Sequence, residues 1–148
     1  MTSSTHDEVR NAPPIPVANE STEAFWQLAK NGQLATQRCN SCGWQSYPPR
    51  MVCPNCHADP PSFDWTPVSG RGRLATWTIV RDALLPGFAD QVPYIVGEVE
   101  LDEQDGLRFL ARLSGIDEDA LRVGLRLRAC FADGGEGTRV PLFEEDPS

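Results

Sequence analysis

The residues with the clearest chemistry are Cys39-Asn40-Ser41-Cys42 and Cys53-Pro54-Asn55-Cys56, two Cys-x-x-Cys pairs with ten residues between them. Two thiolates three positions apart on a tight turn bind one metal ion, and two such turns close a tetrahedron around it. Four of the five cysteines fall in this one window of 18 residues. Gly43 suits a turn that needs positive φ, and Pro54 fixes φ inside the second turn. Cys39, Cys42, Cys53 and Cys56 are therefore the candidate metal ligands. Four thiolates leave no vacancy on a tetrahedral ion, so the site reads as structural rather than catalytic. His57, beside Cys56, reads as a solvated neighbour. Two alternatives stay open on residue type alone. The cysteines could form two disulfides, and the ion could be iron, because ligand type does not separate Zn from Fe. An iron site would make the chain a rubredoxin-like electron carrier.

Something must position these turns. The loop between them carries Trp44, Tyr47 and Met51, too few apolar residues to fold without the ion. Leu34 to Arg38 reads as a strand leading into the first turn. Ahead of it, ESTEAFWQLAKNG reads as a short helix, with Asn19 or Ser21 as cap, Glu20 and Glu23 in the first turn, Lys30 in the last and Gly32 just past the end. Such a helix is marginal alone and must bury its aromatic face. Phe25 and Trp26 either pack on the chain's own metal module or dock on a partner. Residues 1–18 are polar and then proline-rich, without periodicity, and read as a disordered arm.

After the second turn, ADPPSFDWTPV reads as an extended linker, with Phe63 and Trp65 plugging the junction. From Gly70 the pattern is β throughout. GRLATWTIVR places Ala75, Trp77 and Ile79 on one face. PYIVGEVELD places Ile95, Val99 and Leu101 inward, Glu98 and Glu100 outward, with Gly97 as a bend or bulge. LRFLARLSG points Leu107, Phe109, Ala111 and Leu113 inward. IDEDAL is a helical turn capped by Asp117, VGLRLRACFAD a fourth strand, and RVPLFEE a short fifth. Five strands with a helical turn between the third and fourth fit an OB-type barrel; a split two-sheet sandwich would also satisfy the alternation, and the barrel is the expectation. The expected organisation is mainly β: arm 1–18, helix and metal ribbon 19–66, OB-fold barrel 67–148.

The 148 residues suffice for one ordinary domain, or a small module plus a domain of about 80 residues. No apolar run approaches the roughly 20 residues of a membrane helix. The N-terminus lacks a basic and an apolar region, which leads us to expect no signal peptide, reduced cysteines and a cytoplasmic protein with no membrane partner. Net charge is −8, unevenly spread: −2 over residues 1–37, +3 over 38–81 and −9 over 82–148. An acidic total argues against nucleic acid, whose binding draws on phosphate neutralisation. A nucleic-acid-binding ribbon–barrel protein is kept as an alternative. The local basic residues include Arg50, Arg71 and Arg73, candidates to face the phosphates of coenzyme A. The loop DALLPGFADQVP exposes Leu84, Leu85 and Phe88, which with Phe25 and Trp26 form the candidate partner contacts.

Stand-alone catalysis finds no support. His6 lies in the arm and His57 in the metal turn; no nucleophile elbow, phosphate loop or dinucleotide fingerprint occurs. Cys130 reads as an inert, half-buried thiol. Asp102, Glu103 and Asp105 read as solvated residues of a hairpin turn.

The chain resembles the acyl-CoA-associated proteins of domain of unknown function 35. The resemblance rests on FWQLAKNGQLATQRCNSCGWQSYPPRMVCPNC, SGRGRLATWTIV, PYIVGEVELD, the Val123-Gly124 turn and VPLFEE, in that order. It implies N-terminal helical turns, a rubredoxin-like zinc ribbon and a C-terminal OB-fold, with Zn2+ held by the four cysteines. It also implies a heteromeric accessory subunit of a thiolase-like or lipid-transfer-protein-type aldolase, in some members linked to a MaoC-like enoyl-CoA hydratase. Such a subunit would help hold a CoA thioester, and in GC-rich bacteria serve lipid or steroid side-chain degradation.

Overall fold

The computed structural model describes residues 12–148; residues 1–11 of the expected arm, His6 among them, lie outside the described residues. Among the described residues one helix precedes eight strands: α1 Glu23–Lys30, β1 Ala35–Cys39, β2 Gln45–Ser46, β3 Phe63–Pro67, β4 Arg71–Val80, β5 Tyr94–Leu101, β6 Arg108–Leu113, β7 Arg126–Gly135 and β8 Thr138–Glu145. A 3-10 turn at Glu118–Ala120 separates β6 from β7. Strands β4 to β8 close a barrel in the order β4-β5-β6-β8-β7, while β1 to β3 form a separate sheet ordered β2-β1-β3. This is the ribbon and OB-fold that the sequence predicts. No helix among the described residues is long and apolar enough to cross a membrane.

Helix α1 begins later than its sequence suggests. The Asn19 side chain accepts hydrogen bonds from the backbone N–H of Ser21 and Thr22, both at 3.1 Å, and forms a turn that competes with helix there. Its far end is a Schellman closure. Gly32, at φ 74°, donates to the Ala29 carbonyl, and Gln33 donates to the Leu28 carbonyl.

The barrel core is apolar and continuous. Leu74, Val99, Leu101, Phe109, Leu125, Leu127 and Phe143 are fully buried, and Phe25, Leu34 and Ala35 from the ribbon side join the same cluster. Strand β5 alternates buried and half-buried residues along its whole length, as the pattern requires. Strand β4 does not alternate cleanly, because a bulge between Leu74 and Thr76 shifts its pairing with β5 and moves the inward set from Gly72 and Leu74 to Trp77 and Ile79.

Gly97 corrects an expectation. It sits in regular ladder opposite Trp77, not at a bend. A Cβ there would lie 2.8 Å from Leu74 Cδ1 and 3.2 Å from both Leu113 methyls, so close packing across the barrel is what demands glycine. The linker is also corrected: Phe63–Pro67 is β3, fully paired with β1 from Cys39↔Phe63 to Ala35↔Pro67. Its prolines and polar residues hide the strand pattern. Asp117 precedes the 3-10 turn but makes no side-chain capping bond.

Candidate functional site

Each Cys-x-x-Cys pair is built by the same backbone device. In the first, Gly43 N–H donates to the Cys39 carbonyl at 2.8 Å; in the second, His57 N–H donates to the Cys53 carbonyl at 3.1 Å. Both donors have positive φ, 78° at Gly43 and 52° at His57. Glycine enters that region without strain, whereas histidine does so at a cost. Thus His57 shapes the second turn and is more than a solvated neighbour. The buried Gln37 side chain fixes the loop between the turns: its amide donates to the Arg50 carbonyl and its oxygen accepts from Arg50 N–H.

The four cysteine sulfurs lie within 4.8 Å of one another, with Cys39 and Cys53 buried and Cys42 and Cys56 exposed. The Cys39–Cys56 and Cys42–Cys53 sulfurs are 3.7 and 3.6 Å apart. A tetrahedral ion with metal–sulfur bonds of about 2.3 Å needs sulfur–sulfur edges of about 3.8 Å. The donor set therefore fits a single ion, and no disulfide forms among these cysteines. The Asn55 amide, 3.5 Å from Cys42 Sγ, and the backbone N–H of Trp44 pull the Cys42 thiol down to about 6. Cys56 behaves oppositely. Ala58 N–H lowers it, yet burial and the three neighbouring thiols push it up to about 12. Four sulfurs this close can all be thiolates only with a cation between them.

The ribbon is clamped to the barrel. The Gln104 side chain, in the β5–β6 turn, accepts from Gln45 N–H and donates to the Gln45 carbonyl, both at 2.9 Å, extending the ribbon sheet at β2. Within the barrel domain, Glu103 of the same turn accepts from Ser69 N–H at 2.6 Å, and Asp102 pairs with Arg126 of β7. These hairpin residues are joints rather than merely solvated acids. An aromatic stack completes the seam: Tyr47 lies 3.9 Å from Phe109, and Phe25 is 5.8 Å from Tyr47 and 5.3 Å from Trp65, whose indole donates to the Ser21 carbonyl.

This seam decides between the two readings of α1 for one residue. Phe25 is 3% exposed, so its ring belongs to the internal core and cannot be presented to a partner in this packing. Trp26 is half-buried, edge-on to Phe25 at 5.1 Å. Leu84 and Leu85 are 92% and 60% exposed, whereas Phe88 is half-buried against Tyr94. Among the proposed phosphate-facing arginines, Arg73 pairs with Glu100 at 2.6 Å and Arg71 with Asp146 at 3.6 Å. Arg50 lies on the ribbon loop and makes no ion pair among the described residues. Glu98, like Glu100, is answered by an arginine (Arg108, at 3.1 Å), so that strand face is a charge-balanced ladder rather than a phosphate track. Cys130 is half-buried, and burial raises its thiol, as an inert residue requires.

A cavity of about 1080 Å³ was not legible in the sequence. Trp26, Phe88, Tyr94 and Phe109 line it, and residues 12–16 of the proline-rich segment form one wall. That segment runs hard against Gly87, where a Cβ would lie 2.2 Å from the Ala12 carbonyl carbon and the Pro13 nitrogen.

Comparison with known proteins agrees with this architecture. The family description "ChsH2, rubredoxin-like zinc ribbon domain" matches residues 26–62, and "ChsH2, C-terminal OB-fold domain" matches residues 65–132. A "DUF35 domain-containing scaffold protein" of Pyrococcus furiosus is 32% identical over 82% of this chain and 82% of its own length. A "Probable enoyl-CoA hydratase alpha subunit" of Thermomonospora curvata is 29% identical over 96% of this chain, which spans 43% of that relative's length. Among solved structures, a chain of the "Ltp2-ChsH2(DUF35) aldolase" superposes with TM-score 0.75 at 27% identity, covering 88% of this chain and 98% of that one.

Proposed function

We propose, from the premise that this chain belongs to the family of DUF35 domain-containing scaffold proteins, that it is a non-catalytic accessory subunit of a thiolase-like enzyme acting on acyl-CoA. The partner is a thiolase or a lipid-transfer-protein-type retro-aldolase, with a MaoC-like hydratase as a second associate, in lipid or steroid side-chain degradation in the cytoplasm. One observation carries the reading: the ribbon and barrel together match 98% of a chain that, in its solved structure, belongs to an aldolase described by two named components. The name of the Thermomonospora relative, a hydratase subunit, supports the same class of assembly.

In this role the ribbon is a rigid strut. Cys39, Cys42, Cys53 and Cys56 would hold one Zn2+, which supplies structure and no reaction chemistry. The exposed Leu84-Leu85 tip and the outer edge of Trp26 offer apolar surface to the partner, with Phe88 supporting the loop from behind. Of the three candidate arginines, Arg50 alone makes no ion pair among the described residues and would face the phosphates of a CoA thioester directly. Arg71 and Arg73 would reach them only by exchanging Asp146 and Glu100 for phosphate oxygens.

A tagged pull-down from native lysate tests the proposal. A thiolase- or aldolase-like protein should copurify in near-equal amount, and Leu84→Asp with Leu85→Asp should abolish it. Recovery of nucleic acid or a ferredoxin reductase instead would overturn the accessory reading. Undiminished copurification with the double variant would remove the loop from the interface.

A further inference from the structure

The arginines of the barrel divide into two kinds. Arg71, Arg73, Arg81, Arg108, Arg126 and Arg128 each lie within 4 Å of a carboxylate. Arg112, on β6, does not pair with an acid among the described residues, and neither do Arg122 and Arg139, but of these it alone lies on the wall of the 1080 Å³ cavity. The protein nevertheless holds it firmly. Its guanidinium lies 4.8 Å above the Tyr94 ring, and Nη1 donates to Gln91 Oε1, whose own amide donates to the Gly87 carbonyl at 3.0 Å. One of five guanidinium N–H groups is thus used by a neutral acceptor, in a half-buried position among aromatic and aliphatic walls. A cation so oriented, with its charge unanswered, is what fixes the anionic end of an otherwise apolar ligand.

We propose that this cavity is a binding site for an extended apolar molecule carrying one carboxylate, which Arg112 receives beneath the loop bearing Gln91. The inference goes beyond the accessory-subunit reading and does not depend on it, since every group it uses belongs to this chain. The apolar body would lie against Trp26, Phe88, Tyr94 and Phe109, with the proline-rich residues 13–16 also on the lining. The mouth opens beside Leu110, a leucine 60% exposed on β6. The volume lies just above the roughly 300–1,000 Å³ of ordinary small-molecule sites, room for an extended ligand. Two carboxylates also line the cavity and restrict the ligand to a single negative charge near Arg112. They are Asp117 and Asp133, the latter occupied with Gly135 N–H at 2.8 Å.

The test uses the full metal-loaded chain, with decanoate as probe, decan-1-ol as its neutral counterpart, and tryptophan emission with calorimetry as readouts. Decanoate should bind saturably at one equivalent, and decan-1-ol at least about tenfold more weakly. Arg112→Gln should weaken decanoate about tenfold or more while leaving decan-1-ol unchanged. Leu110→Glu, an exposed position where folding is not at stake, should weaken decanoate about tenfold by adding charge at the mouth. Non-saturating uptake, or an Arg112→Gln variant with native metal content and unaltered decanoate affinity, would overturn the proposal. If Arg112→Gln fails to fold, undiminished decanoate binding by Leu110→Glu does so instead.

Discussion

The ribbon and the barrel are both β structures, yet they are held by different forces. The barrel buries Leu74, Val99, Leu101, Phe109, Leu125, Leu127 and Phe143 in one apolar mass. At about 1.5–3 kcal/mol for each large side chain, such burial sustains a fold without help. The ribbon's buried side chains include Cys39, Cys53, Thr36, Gln37 and Ser46, a set with little apolar area. Its order comes from four sulfurs and a lattice of hydrogen bonds, and its apolar residues Leu34 and Ala35 are spent on the barrel's cluster. A chain made this way should be stiff at the ribbon only with an ion at its four sulfurs, whereas the barrel's shape should be intrinsic.

Metal removal should break that comparison most strongly. Structural zinc contributes on the order of 10 kcal/mol to the folding of small four-ligand modules. Chelation, or Cys53→Ser, should abolish amide protection in β1 and β3 while β5 and β7 keep theirs, read by hydrogen exchange. Equal loss in both regions would show that the barrel leans on the ribbon. Retained protection in β1 would show that hydrogen bonds alone suffice there.

A smaller effect is expected at the seam. Phe109 stacks on Tyr47 at 3.9 Å and touches both Phe25 and Phe143, so it belongs to both regions. Phe109→Ala should cost about 3–5 kcal/mol in chemical denaturation. Because Tyr47 loses its platform, ribbon protection should fall with barrel stability even when the metal is bound. A variant that loses stability in the barrel alone would show the two regions to be energetically separate.

These regions were also unequally legible. The clustering of Cys39, Cys42, Cys53 and Cys56 could be read from spacing, since four thiols at fixed intervals admit few arrangements. The β5 alternation and the buried Leu107, Phe109 and Leu113 could be read because a half-buried strand repeats every two residues. What escaped was non-local. The β4 bulge flips a face without any mark in composition, and β3 hides behind prolines at 60, 61 and 67. Gly97 has the look of a bend until Leu74 and Leu113 are seen on either side of it. Phe25 could not be assigned to core or partner, because one amphipathic helix serves either purpose; only Tyr47, Trp65 and Phe109 around it decide. Arg112 was invisible for the opposite reason. Its distinction is a place on the cavity wall with no acid paired to it, and only the fold shows which arginines combine the two.

The smallest effect concerns the charged joints on the barrel surface. Arg126 grips Asp102 through two hydrogen bonds of 2.8 and 2.6 Å, with both side chains more than two-fifths exposed. Solvent screens such a pair, and Arg126→Gln should cost only ~0.5 kcal/mol at neutral pH. The pH dependence identifies the interaction. The hydrogen bonds from Arg126, and then its charge, hold the Asp102 carboxyl below its ordinary value of 3.8. A depressed carboxyl binds fewer protons folded than unfolded, so its contribution is complete above the unfolded value and fades as pH falls through the folded one. The stability gap between the two proteins should therefore be flat from neutrality down to about pH 5, and close progressively below about pH 4. A gap that persisted at pH 2 would assign the effect of Arg126 to packing of its aliphatic stem instead, and would align this joint with the barrel's apolar economy rather than with the polar lattice of the ribbon.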